Sequence, residues 1–159
     1  MAVLVYNFNM NGEQQLDILA IGDVVNDAFI KIKDASVHCK IDNTACELCM
    51  SFGDKVPYES MTELRAVGNS ANAAVAAARL GVKSSLLTHL GKDLNGDNCI
   101  AELKKNNVDT HYVYAHEGMK TNYHYVLWYD VERTILIKHE TYPVMMPSMP
   151  VAPKMLYLS

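Results

Sequence analysis

Residues 66–96 read AVGNSANAAVAAARLGVKSSLLTHLGKDLNG, and this stretch decides the fold class. Ser70 is a residue type that caps helices, and residues 71–80 are mostly alanine, the strongest helix former. Gly81 can end such a helix in the left-handed conformation. The stretch therefore predicts a helix from Ala71 to Leu80, with a surface of small side chains that allows close packing.

Strand patterns lie on both sides of this helix. Asp17 to Gly22 is a short apolar run closed by glycine, as in a strand buried on both faces, and Val24 to Lys33 is a second extended stretch. Val82 to Leu90 predicts the next strand. Asp93 is placed to cap a second helix that we expect to end near Asn106. This order of elements is typical of an α/β fold with a parallel sheet.

The rest of the chain adds extended segments. A strand is predicted near Thr110 to Ala115, and Thr121 to Tyr129 and Thr134 to His139 predict a hairpin. Met155 to Leu158 begins one more strand, with no helix after it. We therefore expect the fold to continue beyond Ser159.

Composition excludes several classes of protein. The chain has 159 residues, of which 50% are hydrophobic and 20% are charged, so it can bury a core. Its net charge of -4 offers no basic face for nucleic acid. No apolar run approaches the roughly 20 residues of a membrane span, so we expect neither partner and take the cytoplasm as the default location.

Two glycine-containing motifs resemble the first signature of the PfkB family of ribokinase-like carbohydrate kinases. One is Ala66 to Asn72, in which an asparagine opens the alanine-rich helix, and the other is the Gly-x-Asp-x-x-Gly turn at Gly91 to Gly96. The stretch from Gly22 to Asp27 also matches. One position departs from the family, because Val67 stands where the family has the first of two adjacent glycines, and this leaves the identity of the substrate open.

The resemblance implies a three-layer α/β/α parallel core with a small β lid. Residues 16–159 would be the amino-terminal part of the kinase domain, and residues 1–15 a tail or linker. The lid would be formed near residues 24–65 and 121–139. Family members often form homodimers through the lid, so a homodimer is also expected.

The resemblance further implies ATP-dependent phosphorylation of a hydroxyl group of a sugar or nucleoside. Four residues would contact the acceptor: Asp27, Gly68, Asn69 and Asn72. The family's second signature, Asp-Thr-x-Gly-Ala-Gly-Asp, holds the catalytic base and the anion hole and does not occur in these residues. No catalytic or cofactor-binding residue is therefore expected here. We expect ATP, Mg²⁺ and the base to belong to a carboxy-terminal half, and the chain alone to be inactive.

The chemistry of the four residues agrees with acceptor binding. A neutral polyol is held by hydrogen bonds that need both donors and acceptors. Asp27 supplies acceptors, and Asn69 and Asn72 supply both. A glycine beside them lets the backbone approach a ligand. Ribose, fructose, a deoxy-keto acid and adenosine all remain open as acceptors.

The cysteines suggest a second kind of site. His38, Cys39, Cys46 and Cys49 could close a tetrahedral structural zinc site, since Cys46 and Cys49 have a proper ligand spacing. Unpaired cysteines packed in a small lid are the alternative, and a redox disulfide is a third. Cys99 lies among the apolar residues of the second predicted helix and is expected in the core.

Two other functions stay open at this point. One is a sugar- or nucleoside-binding module without kinase activity. The other is a metal-dependent interaction protein centred on residues 38–49. The aromatic residues Tyr123, Tyr125, Trp128 and Tyr129 alternate as in a packed hairpin, which favours a core role over stacking on a ligand ring.

Overall fold

The computed structural model describes residues 15–41 and 45–159. Residues 1–14 of the predicted tail lie outside the described residues. The strands are β1 (Ile18–Ile21), β2 (Val25–Ile32), β3 (Ser36–His38), β4 (Glu47–Cys49), β5 (Tyr58–Val67), β6 (Ser84–Gly91), β7 (Val113–His116), β8 (Tyr123–Tyr129), β9 (Glu132–Leu136) and β10 (Met155–Leu158). The helices are α1 (Asn69–Arg79) and α2 (Leu94–Lys105).

The first sheet is parallel throughout and has the strand order β10-β1-β6-β7. Its central strands are apolar on both faces, since Leu19 and Ala20 are adjacent in β1 and both are fully buried, as is Leu86 in β6. A strand buried on both faces belongs in a covered parallel sheet. The predicted α/β class and parallel core are thus confirmed.

Both helices contribute to one hydrophobic core on the same sheet. The buried residues of this core include Ala20, Ala71, Ala74, Leu86, Leu90, Cys99, Leu103 and Val108. Because α1 presents alanine at the contact, its backbone can lie close to β1 and β6. Neither helix in the described part of the chain is long and apolar enough to cross a membrane.

The second sheet has the order β5-β2-β8-β9, and the hairpin β3-β4 forms a separate two-stranded sheet. Strand β2 pairs with β8 in parallel and with β5 antiparallel, while β8 and β9 form the predicted hairpin. Both segments expected to form the lid, residues 24–65 and 121–139, supply these strands. The domain boundaries themselves stay a prediction.

The start of α1 differs from the prediction. The residue at the N-cap is Gly68, no side chain caps the helix, and Ser70 lies inside the first turn. The hydroxyl of Ser70 instead donates to the carbonyl oxygen of Ile21 at 2.7 Å. The predicted role of Ser70 as cap is therefore wrong, because a carbonyl at the end of β1 takes its hydrogen bond. Gly81 does follow the helix with a φ of 82°.

Candidate functional site

The two sheets meet at a short connection. Only three residues, Gly22, Asp23 and Val24, separate the end of β1 in the first sheet from the start of β2 in the second. Gly68 lies against this connection with a φ of 114°, and a Cβ there would sit 2.9 Å from the carbonyl oxygen of Asp23. Only glycine meets both conditions, so the turn before α1 can approach the connection closely.

Helix α1 places Asn69 and Asn72 at its first turn. Both side chains are exposed, and the backbone N–H of Asn72 donates to the carbonyl oxygen of Gly68 at 2.8 Å. Asn72 lines a groove of about 450 Å³ together with Arg65 of β5 and Glu102 of α2. Asp27 does not line this groove, so the groove does not bring these two predicted acceptor residues together.

Asp27 lies on β2 directly opposite His124 of β8. His124 Nδ1 is 3.4 Å from Asp27 Oδ1, and the two side chains are 12% and 20% exposed, respectively. Burial raises the pKa of the Asp27 carboxyl, and the proximity of His124 opposes that rise, although the 3.4 Å contact does not have hydrogen-bond geometry. The predicted acceptor carboxylate therefore sits in a partly desolvated position beside an imidazole.

Two further ionisable groups complete what we call the Asp27 cluster, which consists of Asp23, Asp27, His124 and His139. The rings of His124 and His139 meet edge to face with their centroids 5.1 Å apart. His139 Nδ1 lies 3.6 Å from Asp23 Oδ2. Of the four, only Asp27 is a predicted acceptor residue: Asp23 lies in the β1–β2 connection, His124 joins through the pairing of β2 with β8, and His139 lies in the segment after β9.

Asn26 holds β2 in place behind Asp27. This fully buried side chain accepts hydrogen bonds at Oδ1 from the backbone N–H of Ala66 at 3.2 Å and from the thiol of Cys99 at 3.0 Å. Its Nδ2 donates to the carbonyl oxygen of Asn95 at 3.3 Å. Asn26 thereby links β2, β5 and α2. Burial raises the pKa of its partner, the Cys99 thiol, to about 11.

The second glycine motif is a structural turn. Asp93 caps α2 as predicted, accepting from the backbone N–H of Gly96 at 2.9 Å. Thr121 donates to the same carboxylate through its hydroxyl at 2.7 Å and through its backbone N–H at 3.2 Å. Burial acts to raise the pKa of Asp93, but these hydrogen bonds hold it below its ordinary value. The motif thus ties α2 to the segment that leads into β8.

The cysteines do not form the expected zinc site. Cys39 is joined to Cys46 in a disulfide, while Cys49 is a free thiol. Zinc binding requires thiolates, and a disulfide sulfur is not one. Among residues 15–41 and 45–159, no three His, Cys, Asp or Glu side chains are grouped to hold a metal ion. The hypothesis of a zinc site at His38, Cys39, Cys46 and Cys49 is therefore corrected.

The sequence model of the pfkB family of carbohydrate kinases matches residues 30–142. That segment contains the two glycine motifs, strands β6 and β7 of the first sheet and the β8-β9 hairpin. The chain belongs to the pfkB carbohydrate kinase family. The matched segment includes Gly68, Asn69 and Asn72, and Asp27 lies three residues before it.

Individual relatives agree with this assignment. An uncharacterized sugar kinase of Pyrococcus horikoshii, PH1459, is 48% identical over 54 residues, which is 34% of this chain and 17% of the relative. Its crystal structure matches with a TM-score of 0.53 and 30% identity, covering 76% of this chain and 35% of the other. The same kinase has also been solved with ATP.

Two ribokinases share the fold at lower identity. The enzyme of Cryptococcus neoformans, solved with ADP, has a TM-score of 0.65 and 21% identity, covering 91% of this chain and 40% of the other. The enzyme of Arabidopsis thaliana, solved with ribose and ATP, has a TM-score of 0.59 and 21% identity, with coverage of 79% and 36%. The chain thus spans well under half the length of these relatives.

Proposed function

We propose that this chain supplies the acceptor-binding part of a kinase that transfers the γ-phosphoryl group of ATP to a hydroxyl of a sugar or nucleoside. The observation that carries the proposal is the approach of Gly68 to the three-residue connection between β1 and β2, because Asp27 lies near the start of β2. Membership of the pfkB family and the ATP, ADP and ribose complexes of its relatives support it.

Each residue has a defined part in acceptor binding. The carboxylate of Asp27 accepts hydrogen bonds from acceptor hydroxyls, and the exposed amide of Asn69 can both donate and accept. The backbone at Gly68 admits a ligand without a side chain in the way. Together these groups would fix the direction of the reacting hydroxyl, which is the positioning that phosphoryl transfer depends on.

The chemical step needs groups that these residues do not supply. The described residues hold no carboxylate cluster that fits Mg²⁺, and no Asp-Thr-x-Gly-Ala-Gly-Asp stretch occurs in the sequence. We propose that the base and the groups that bind ATP and magnesium belong to a carboxy-terminal half of the enzyme. The chain by itself would bind the acceptor without phosphorylating it.

The test is an assay of the full-length gene product. ATP-dependent phosphorylation is measured with ribose, fructose, a deoxy-keto acid and adenosine, for the wild type and for Asp27→Asn. Loss of a hydrogen bond to a charged group costs about 1.5–3 kcal/mol, so kcat/KM should fall roughly 10- to 100-fold. Asp34→Asn is the matched control, because Asp34 is exposed at the opposite end of β2.

The same assay separates the alternatives. Phosphorylation that depends on Asp27 and not on Asp34 supports the proposal. If the full-length product binds an acceptor but does not phosphorylate it, the kinase hypothesis is wrong and the protein is a sugar- or nucleoside-binding module. Equal activity of Asp27→Asn and Asp34→Asn would show that Asp27 does not bind the acceptor.

The homodimer implied by the family is also a proposal. The β5-β2-β8-β9 sheet carries exposed apolar side chains on one face, where the strand register places Leu64, Trp128 and Ile135. Such a face is typical of an interaction surface. Sedimentation of the full-length product would give a dimer mass if this sheet pairs with a second copy, and Trp128→Glu should then yield monomer.

A further inference from the structure

His124 is aimed at Asp27 by the strand register. In the parallel β2–β8 pair the two residues are direct partners, so their side chains leave the sheet on the same face. His124 Nδ1 and Asp27 Oδ1 are 3.4 Å apart. Oδ1 of Asp27 is buried, whereas the side chain as a whole keeps 20% of its surface exposed. Oδ2 is therefore the oxygen that a ligand would reach.

No other ionisable side chain of the packed strands competes for this carboxylate. Across β5 the partner of Asp27 is the apolar Leu64. Glu63 and Arg65 lie on either side of Leu64 along the strand, so their side chains point to the opposite face of the sheet. They form an ion pair with each other. On β2 itself, Lys31 pairs with Glu59.

The remaining neighbours are further from Asp27. Helix α2 meets β2 through Asn26, which alternates with Asp27 and lies on the opposite face. Asp23 of the β1–β2 connection lies next to His139. His124 is thus the ionisable group that acts directly on Asp27 from the elements packed against it.

The His124 ring is held by packing, and one of its two nitrogens has no hydrogen-bond partner among the described residues. His139 packs against it edge to face, and Nε2 is buried without a hydrogen-bond partner in the described part of the chain. The polar contact of this ring is therefore the one that Nδ1 makes with Asp27. A buried imidazole whose one polar contact is a site carboxylate is arranged to orient that carboxylate.

We propose that His124 is a positioning residue for acceptor binding: the 3.4 Å contact of its Nδ1 with Oδ1 of Asp27 holds that oxygen in place, which leaves Oδ2 facing the acceptor hydroxyl. This inference rests on the proposed function. The inference goes beyond the proposed function because it assigns a role to a residue of β8 that does not itself touch the acceptor.

The contact also sets the pH range of binding. Asp27 must be ionised to accept from two hydroxyls, and His124 opposes the rise that burial causes in the pKa of Asp27. Removal of His124 leaves the effect of burial in place. The pKa of Asp27 should then rise further, and acceptor binding should weaken at a higher pH than in the wild type.

Two substitutions of His124 test the role of Nδ1. The amide nitrogen of asparagine can occupy the place of Nδ1, whereas that of glutamine reaches the place of Nε2. With ribose as acceptor and the full-length product as enzyme, His124→Gln should raise KM about tenfold, the effect of one lost polar contact to a charged group, with kcat within about twofold. His124→Asn should stay within about threefold of the wild-type KM. His111→Asn, at an exposed histidine, is the control.

The pH profile and a ligand-free measurement complete the test. The acid limb of 1/KM should move to higher pH in His124→Gln, and the Asp27 carboxyl titration followed by ¹³C NMR should move the same way without ligand. Equal KM values for the two variants, or an unmoved Asp27 titration, would overturn the inference. If the wild type phosphorylates no acceptor, the proposed function fails, and the NMR titration alone decides whether His124 acts on Asp27.

Discussion

His89 and His116 share a hydrogen bond between neighbouring parallel strands: His89 Nδ1 lies 2.9 Å from His116 Nε2. One of the two nitrogens must donate and the other accept. Burial, and then the proximity of His116, hold the pKa of His89 below its ordinary value, with Asp23 opposing them. The backbone N–H of Met145 approaches the other nitrogen of His89 at 3.4 Å, so this pair also contacts the segment that leads to β10.

We expect this pair to make stability depend on pH. In the unfolded chain His89 has a pKa of about 6.5 and begins to bind a proton as the pH falls to that value. In the folded chain the same imidazole is still neutral at that pH, because its pKa is lower. The unfolded state then binds more protons, so the free energy of unfolding should fall as pH drops through about 6.5. Urea unfolding of the wild type and His89→Gln at several pH values between 5 and 8 measures this. The variant should lose part of the slope, and His111→Gln should keep it.

Asp27→Asn should stabilise the fold while it weakens acceptor binding. Because the folded pKa of Asp27 is raised, the stabilising contribution of its protonated form is present below the unfolded pKa of about 3.9 and is lost as pH rises through the folded pKa. At pH 7 the neutral amide avoids the cost of burying the charge. The urea midpoint should therefore rise in Asp27→Asn at pH 7, and the difference should shrink towards pH 4. A lower midpoint at pH 7 would contradict the role of burial.

Gly96→Ala separates two opposed effects. Gly96 is inside α2, where alanine is favoured over glycine by about 1 kcal/mol. A methyl group at this position, however, would collide with the carbonyl oxygen of Gly91 and come within 2.9 Å of the hydroxyl of Thr121. Overpacking typically costs about 1–3 kcal/mol, so after the gain in helix propensity we expect a net loss of about 1 kcal/mol in the free energy of unfolding. Chemical denaturation measures it, with Lys104→Ala on the exposed face as control.

The thiols should divide into three classes. Iodoacetamide should label Cys49 in the native protein, and Cys99 only after unfolding, because that buried thiol has a pKa of about 11. Cys39 and Cys46 should be labelled only after reduction. Mass spectrometry of the alkylated peptides distinguishes the classes. Labelling of Cys39 and Cys46 without reduction, together with one equivalent of bound zinc, would restore the metal hypothesis.

Local patterns explain which features the sequence predicted well. The alanine-rich helix, its end at Gly81 and the cap at Asp93 depend on residues within a few positions of each other. Ser70 shows the limit: as a residue type it favours a cap, but its hydroxyl bonds to Ile21, which is 49 residues away in sequence. Propensity carries no information about such a distant acceptor.

The same limit applies to the site. Asp27 is predicted from the resemblance of Gly22 to Asp27 to the PfkB family, and no residue near it in sequence indicates His124. That contact requires the pairing of β2 with β8, which brings together two residues 97 positions apart in sequence. The pairing of Cys39 with Cys46 likewise depends on how the β3–β4 hairpin closes, and cysteine spacing alone left zinc and a disulfide both open.

The three-residue connection between β1 and β2 has a mechanical consequence. Asp27 lies on a strand of the second sheet, whereas Asn69 opens α1, which packs on β1 and β6 of the first sheet, and Gly68 rests against the connection between the sheets. A small rotation about this connection would change the gap between the carboxylate and the asparagine. A ligand bound by both residues would therefore fix the angle between the two sheets. Its affinity would depend on that angle.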